Sequence, residues 1–235
     1  MDRILRMKFE NFKTKYSSKY SKEAWEYIEE NFFDMIHSKE TPDILMQIYS
    51  ELGINPSAAV FYKKHLKLLK SIFPLDGNIV EVASGRIPAF ANMIAQEQGK
   101  IGKGTITIYE PLLVELEPKN PNITIHNEYF REDTDIAFTD LVVAIMPCEA
   151  TETILENAIK SGKPFYVAMC GCVHSPWASM YSFGFGTSPE IYQQQVIAKA
   201  ESLIAEYGGA ELQVTKLKNS PIDYPILYRK KLVKN

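Results

Sequence analysis

The sequence lacks any apolar run that approaches the roughly 18 to 20 residues needed to cross a membrane. Its first residues, MDRILRMKFENFKTKY, lack the apolar core of a signal peptide. Cysteine is scarce as well, since Cys148, Cys170 and Cys172 are too few, and odd in number, for a disulfide framework. These absences predict a cytoplasmic protein with reduced thiols and no membrane partner.

An excess of positive charge is also missing. The 235 residues carry a formal net charge of −3, and the sequence pI is near 5.9. This balance argues against nucleic acid as a partner. With 46% hydrophobic and 23% charged residues, the composition is that of a globular protein. Whether the chain forms a homo-oligomer is left open.

Helical patterns fill the first part of the chain, and alternating patterns fill the rest. Residues 1–73 show helical periodicity with start signals such as Ser21, the expected N-cap of the segment SKEAWEYIEENFFDMIHS. Residues 74–235 alternate short apolar runs with helical segments, which predicts a mostly parallel sheet covered on both faces. The expected strands are 78–83, 105–109, 122–126, 140–146 and 163–170. Two further runs without a helix between them, AELQVTKLK and DYPILYRKKLV, predict an antiparallel C-terminal pair.

The segment NIVEVASGRIPAF joins the first strand to the first helix of this α/β region. In such sheets, ligands bind beyond the carboxyl ends of the strands. Against the dinucleotide pattern G-x-G-x-x-G, residues 83–88 read Ala-Ser-Gly-Arg-Ile-Pro and keep only the middle glycine. A pyrophosphate needs close backbone access, so a nicotinamide-dependent oxidoreductase ranks only third among the functions weighed.

A second template fits better: the region resembles the class I S-adenosylmethionine-dependent methyltransferases. Their first motif, an acidic residue followed by x-G-x-G-x-G, aligns with residues 81–87. Glu81 and Gly85 match, whereas Ala83 and Ile87 replace the outer glycines. The resemblance covers about residues 75–235. It implies a Rossmann-like fold with an N-terminal helical cap, and S-adenosylmethionine as cofactor.

The resemblance also implies where the cofactor lies. Glu110, at the end of the second strand, would accept both ribose hydroxyls, a task that suits an acceptor-only carboxylate. Asn127 and Glu128, at the end of the third strand, would meet the adenine. Met146 ends the fourth strand, which borders the methyl group in this family. The full set of predicted cofactor-binding residues is Glu81, Ala83, Ser84, Gly85, Arg86, Glu110, Asn127, Glu128 and Met146.

Two residues beyond the fourth strand are the candidates for chemistry, Cys148 and Glu149. Methyl transfer depends mainly on holding the nucleophile in line, and a general base is needed only when the acceptor must lose a proton. Glu149 is equally well explained as an acidic residue in the first turn of a helix. The Asn/Asp-Pro-Pro-Tyr motif of amino-directed methyltransferases is absent, which disfavours adenine, cytosine or glutamine as acceptors.

Two features follow the fifth strand. Cys170, Cys172 and His174, with Cys148 as a neighbour, offer zinc-ligating atoms, but their spacing is not that of common zinc modules, so no metal is predicted. A long loop then carries four aromatic residues that would form a substrate lid: Trp177, Tyr181, Phe183 and Phe185.

The sequence therefore favours a methyltransferase that acts on an unidentified small molecule. The alternative from another class is a catalytically silent protein that keeps the methyltransferase fold and binds a nucleoside-type ligand. The loss of the outer glycines favours this silent protein, whereas the aromatic lid and Glu110 favour the enzyme.

Overall fold

A computed structural model of the chain describes residues 3–33, 43–52, 57–85, 88–113, 118, 120–170, 189–217 and 224–231. Contacts divide the chain into two units, Met1–Lys64 and His65–Asn235, with the boundary inside the fourth helix. The predicted aromatic lid, together with Arg86, Cys172 and His174, lies outside the described residues.

The first unit is helical. It contains α1 (Arg3–Lys15), α2 (Lys22–Asn31), α3 (Asp43–Glu51) and the beginning of α4 (Ser57–Ile72). Ser21 is the N-cap of α2, as predicted, and its side chain accepts a hydrogen bond from the Ala24 amide at 3.2 Å. The apolar faces of these helices bury a core of their own, formed by Phe9, Phe12, Trp25, Ile28, Phe32, Leu45, Ile48 and Tyr49.

In the second unit, the described residues form a seven-stranded sheet in the order β3-β2-β1-β4-β5-β7-β6. The strands are β1 (Asn78–Val82), β2 (Thr105–Tyr109), β3 (Ile123–His126), β4 (Leu141–Ile145), β5 (Phe165–Ala168), β6 (Gln213–Thr215) and β7 (Ile226–Arg229). Strands β1 to β5 are parallel, and β7 is antiparallel to both of its neighbours. This confirms the predicted fold class, including the antiparallel C-terminal pair.

Two strands end one residue earlier than the sequence predicts, and both for the same reason. Ala83 and Met146 each have a φ of +56°, so the chain leaves the extended conformation at these residues. The carboxyl ends of β1 and β4 are therefore tight turns and not extensions of the strands.

Helices cover both faces of the sheet. On one face, Val80, Val142 and Val167 pack in a single apolar cluster with α6 (Thr151–Lys160) and α7 (Pro189–Tyr207). On the other face, Tyr166 contacts His65 of α4, and α4 is joined to α5 (Ala89–Ile101) by the ion pair of Lys70 with Glu97. No helix in the described ranges combines the length and apolar character required to cross a bilayer.

Candidate functional site

A backbone hydrogen bond and a left-handed glycine shape the turn after β1. The amide of Ala83 donates to the carbonyl of Tyr109 in β2 at 3.0 Å. Gly85 has a φ of +77°, and apart from its chain neighbours no atom of the described residues lies within 4 Å of the place where its side chain would begin. The described residues therefore leave the backbone at Gly85 open to close approach by another molecule.

Ser84, in the same turn, has a buried side-chain oxygen with no hydrogen-bond partner among the residues that the structure describes. Leaving a buried hydroxyl unpaired costs on the order of 1–3 kcal/mol. In folded proteins nearly all buried polar groups have a hydrogen-bond partner from the protein, from water or from a ligand. A polar ligand at this turn would supply one.

Glu110 joins the turn after β1 to the turn after β2. Its side chain is buried, with 6% of the residue exposed. One carboxylate oxygen accepts from the amide of Gly85 at 3.0 Å, and the other accepts from the amide of Leu112 at 2.9 Å. Because a carboxylate offers about four acceptor positions, each oxygen still has capacity for a hydroxyl donor.

Asn127 braces the chain around Glu110. With its amide assigned from the surrounding hydrogen bonds, the side-chain nitrogen donates to the carbonyls of Glu110 and Pro111 at 3.0 and 2.9 Å. Asn127 thus fixes the path of the chain after β2.

Glu128 and Glu81 occupy contrasting environments. Glu128 is exposed, and one of its oxygens lies 3.3 Å from Nδ1 of His126, whose ring stacks on Tyr109 at 4.7 Å. The pKa of the Tyr109 phenol is raised mainly by burial, and the negative charge of Glu128 raises it further. Glu81 is buried within β1, between Ile108 of β2 and Val143 of β4.

The turn after β4 lies beside the turn after β1, because the two strands are neighbours. Met146 and Cys148 have φ values of +56° and +47°. Together with Ala83, they are the non-glycine residues of the described chain with positive φ. Such conformations cost energy and cluster at active sites and ligand clamps. The backbone strain of the described chain is therefore concentrated at the carboxyl edge of the sheet, in the turns after β1 and β4.

The predicted catalytic residues lie on this second turn. Cys148 is half-buried, and its thiol is 3.5 Å from the carbonyl of Met146. Glu149 is exposed and follows it in a short 3₁₀-helix, Cys148–Ala150. The hydroxyl of Thr151 donates to the Cys148 carbonyl at 2.8 Å and ties the turn to α6.

A buried polar cluster behind this turn was missed by the sequence analysis. It contains Thr151 and Glu152 at the start of α6, and Tyr192 of α7. The pKa of the Tyr192 phenol is raised mainly by burial, and the negative charge of Glu152 raises it further. A hydrogen bond with Thr151 has the opposite effect and lowers this pKa. The signal was available, because Glu152, Leu155 and Ile159 share one helical stripe that is otherwise apolar.

Metal-ligating side chains do not converge in the described ranges, where no group of three or more His, Cys, Asp or Glu could hold a metal ion. Cys170 is buried near the end of β5, where its carbonyl accepts from Gln193 Nε2 at 3.3 Å.

The sheet order and the reversed strand β7 are those of a class I methyltransferase fold. No family model matches the chain, and no curated protein matches it in sequence.

Similar solved structures include two archaeal fibrillarins. The Aeropyrum pernix fibrillarin, in complex with natively bound S-adenosyl-L-methionine, has 16% identity and a TM-score of 0.47 over 72% of this chain and 75% of that one. The Methanococcus jannaschii fibrillarin, a pre-rRNA processing protein, has 13% identity and a TM-score of 0.45 over 69% and 70%. A putative class I S-adenosylmethionine-dependent methyltransferase from Listeria monocytogenes has 12% identity and a TM-score of 0.46 over 75% and 59%. At these identities, none of these proteins assigns a ligand or a substrate to this chain.

Proposed function

We propose that this protein is an S-adenosylmethionine-dependent methyltransferase that acts on a small molecule. The observation that carries the proposal is the junction of the first two turns, where the amide of Gly85 donates to the Glu110 carboxylate at 3.0 Å. Beside this junction, the buried Ser84 hydroxyl has no partner in the described part of the chain. The turn thus offers backbone access, a carboxylate with spare acceptor capacity and an unsatisfied polar atom.

We assign these residues to the methionine part, the ribose and the adenine of the cofactor in turn. Ala83, Gly85 and Arg86 would hold the methionine part, with Ser84 hydrogen-bonded to its polar end. Glu110 would accept the ribose hydroxyls, and Asn127 and Glu128 would lie at the adenine edge. The buried Glu81 would support the turn from within β1. Because the cofactor carries no pyrophosphate, alanine at position 83 is compatible with it.

The acceptor would bind beside the turn after β4. When bound, the cofactor supplies an electrophilic methyl group, and the protein's task is to hold the acceptor in line with it. Met146 would border the methyl group, and Cys148 and the exposed Glu149 would face the acceptor. Glu149 would take a proton where the acceptor must lose one. The aromatic residues Trp177, Tyr181, Phe183 and Phe185 would cover the substrate.

Ligand-induced stabilisation tests the proposal. At one hundred times Kd, a ligand that binds only the folded state adds about 2.7 kcal/mol to the free energy of unfolding. For this chain length, that raises Tm by roughly 5 to 10 °C. We expect such a shift with S-adenosylhomocysteine, and no comparable shift with NAD or NADP. Glu110→Gln should remove most of it, since the ribose hydroxyls lose a charged acceptor, and Gly85→Asp should abolish it.

Glu201→Gln is the matched control, because Glu201 is an exposed carboxylate on α7. It should retain the full shift. If the wild-type protein shows no shift with millimolar S-adenosylhomocysteine, the methyltransferase proposal is wrong. Binding of S-adenosylhomocysteine without methyl transfer to any acceptor in a broad screen would favour the silent nucleoside-binding protein.

A further inference from the structure

A cavity of about 470 Å³ lies at the opposite, amino edge of the sheet. It is bounded by the end of α4, the segments that lead into β1, β4 and β5, and the residues that follow β7. Phe73, Ile79, Leu141 and Pro164 are buried and form apolar walls. The volume falls within the range of small-molecule sites, which combine apolar walls with a few polar groups.

The topology of the sheet brings charges of both signs to this cavity. Asp76 and Asp140 precede the parallel strands β1 and β4, so they lie where those strands begin. Strand β7 runs the other way and pairs its last residue, Arg229, with Phe165 at the start of β5. Lys230 and Lys231 follow Arg229 and therefore reach the same edge. Asp76, Asp140, Lys230 and Lys231 all line the cavity.

A backbone hydrogen bond fixes the position of Asp140, one of the two acidic residues that line the cavity. One carboxylate oxygen of Asp140 accepts from the amide of Asn78 at 2.9 Å. A side chain at Gly77 would come within 2.7 Å of the same oxygen, so the glycine leaves room for this carboxylate. Asp140 thus lies against the first residues of β1.

The two lysines do not neutralise these acids. In the described ranges, no Lys230 or Lys231 nitrogen lies within 4.0 Å of an Asp76 or Asp140 carboxylate oxygen. All four residues are exposed. The cavity therefore presents separate positive and negative groups around apolar walls.

We propose that this cavity binds a zwitterion of the amino-acid class with an apolar side chain. Its ammonium group pairs with Asp76 and Asp140, its carboxylate pairs with Lys230 and Lys231, and its side chain lies against Phe73 and its apolar neighbours. This site is separate from the turns at the carboxyl edge, and it does not depend on the proposed methyltransferase activity.

Binding of L-phenylalanine to the full chain, followed by isothermal titration calorimetry, tests the inference. Two probes with the same ring isolate each charge: phenethylamine lacks the carboxylate, and 3-phenylpropionate lacks the ammonium group. We expect saturable binding of L-phenylalanine at millimolar concentrations. Each single-charge probe should bind roughly tenfold or more weakly, because one charge-assisted contact is lost.

The variants Asp76→Asn and Lys230→Gln should each raise the Kd of L-phenylalanine roughly tenfold. Asp76 is preferred to Asp140, because Asp140 also accepts the Asn78 amide. The matched controls Asp133→Asn and Lys22→Gln alter exposed residues that do not line the cavity and should leave the Kd unchanged. No saturable binding, equal binding of all three probes, or equal effects of test and control variants would each overturn the inference. S-adenosylhomocysteine binding should be unchanged in all four variants.

Discussion

Ala83 adopts a backbone conformation that suits glycine. Its φ of +56° lies in the left-handed region, which costs a residue with a side chain roughly 1–2 kcal/mol. The amide of Ala83 nevertheless donates to Tyr109 in β2, as part of a defined turn. Alanine thus holds this turn in a conformation that glycine would adopt without the cost of a side chain.

Ala83→Gly should therefore stabilise the protein. Glycine removes the strain energy of the left-handed conformation in the folded protein, but it also increases the conformational entropy of the unfolded chain. Because the first effect is larger, we expect the free energy of unfolding to rise by about 1 kcal/mol. Ala205→Gly, on the exposed face of α7, provides a control of opposite sign and should lower it by roughly 0.5–1 kcal/mol. Chemical denaturation of both variants measures the difference. A destabilised Ala83→Gly would contradict the claim that this turn is strained.

Single residues differ in how much the sequence reveals about them. The position of Glu110 directly after β2 was predictable from the end of the apolar run, whereas its role toward a ribose came from the resemblance and stays a prediction. The unpaired Ser84 hydroxyl could not, since burial of one oxygen depends on packing around the turn. The position of Glu152 on an otherwise apolar helical stripe indicates its burial from the sequence, but its neighbour Tyr192, 40 residues further along the chain, is known only from the structure.

At the scale of elements, β7 is anchored by one buried side chain. Arg229 donates to the carbonyls of Ala158 and Lys163 at 3.1 and 3.0 Å, and to that of Gly208 at 3.3 Å. Its guanidinium lies 5.6 Å from the centre of the Phe165 ring. Burial lowers the pKa of Arg229. One side chain thus connects β7 to the ends of α6 and α7.

Arg229→Met should destabilise the protein by about 2–4 kcal/mol, because three backbone carbonyls each lose a hydrogen bond from the guanidinium. Arg131→Met, at an exposed site, should change stability by less than about 0.5 kcal/mol. Urea unfolding at neutral pH would compare the two. If Arg229→Met were as stable as the wild type, the gain from removing a buried charge would outweigh the three hydrogen bonds.

The elements themselves were largely predictable. Runs such as LVVAIM are typical of buried parallel strands, and β2 has the bounds that the sequence predicts, Thr105–Tyr109. The ends of β1 and β4 were not predictable, because alanine and methionine do not normally mark a left-handed turn. Strand β5 is shorter than predicted and spans Phe165–Ala168.

At the scale of the whole molecule, stability depends on pH through a buried histidine. His65 is 2% exposed, and its Nδ1 lies 2.7 Å from the Tyr166 hydroxyl. Burial lowers the pKa of His65 from 6.5 to about 3. Below about pH 6.5, the unfolded chain binds a proton that the folded chain does not. The free energy of unfolding therefore falls as the pH decreases toward 3, by about 1.4 kcal/mol per pH unit.

His65→Gln should flatten this dependence. Between about pH 7 and pH 5, the wild type should lose about 2 kcal/mol more stability than the variant, because glutamine does not titrate there. Urea unfolding across this pH range gives the two slopes. Parallel curves for the wild type and His65→Gln would contradict the assignment.

The position of β7 also sets the order in which the molecule can be completed during synthesis. Strand β7 lies between β5 and β6 but follows both in the chain, so residues 213–215 have no partner in the sheet until residues 226–229 have been made. Until then, one edge of β5 offers unpaired backbone groups, and such edges are templates for association between nascent chains. The strand that reverses the direction of the sheet is therefore also the one that covers the edge of β5.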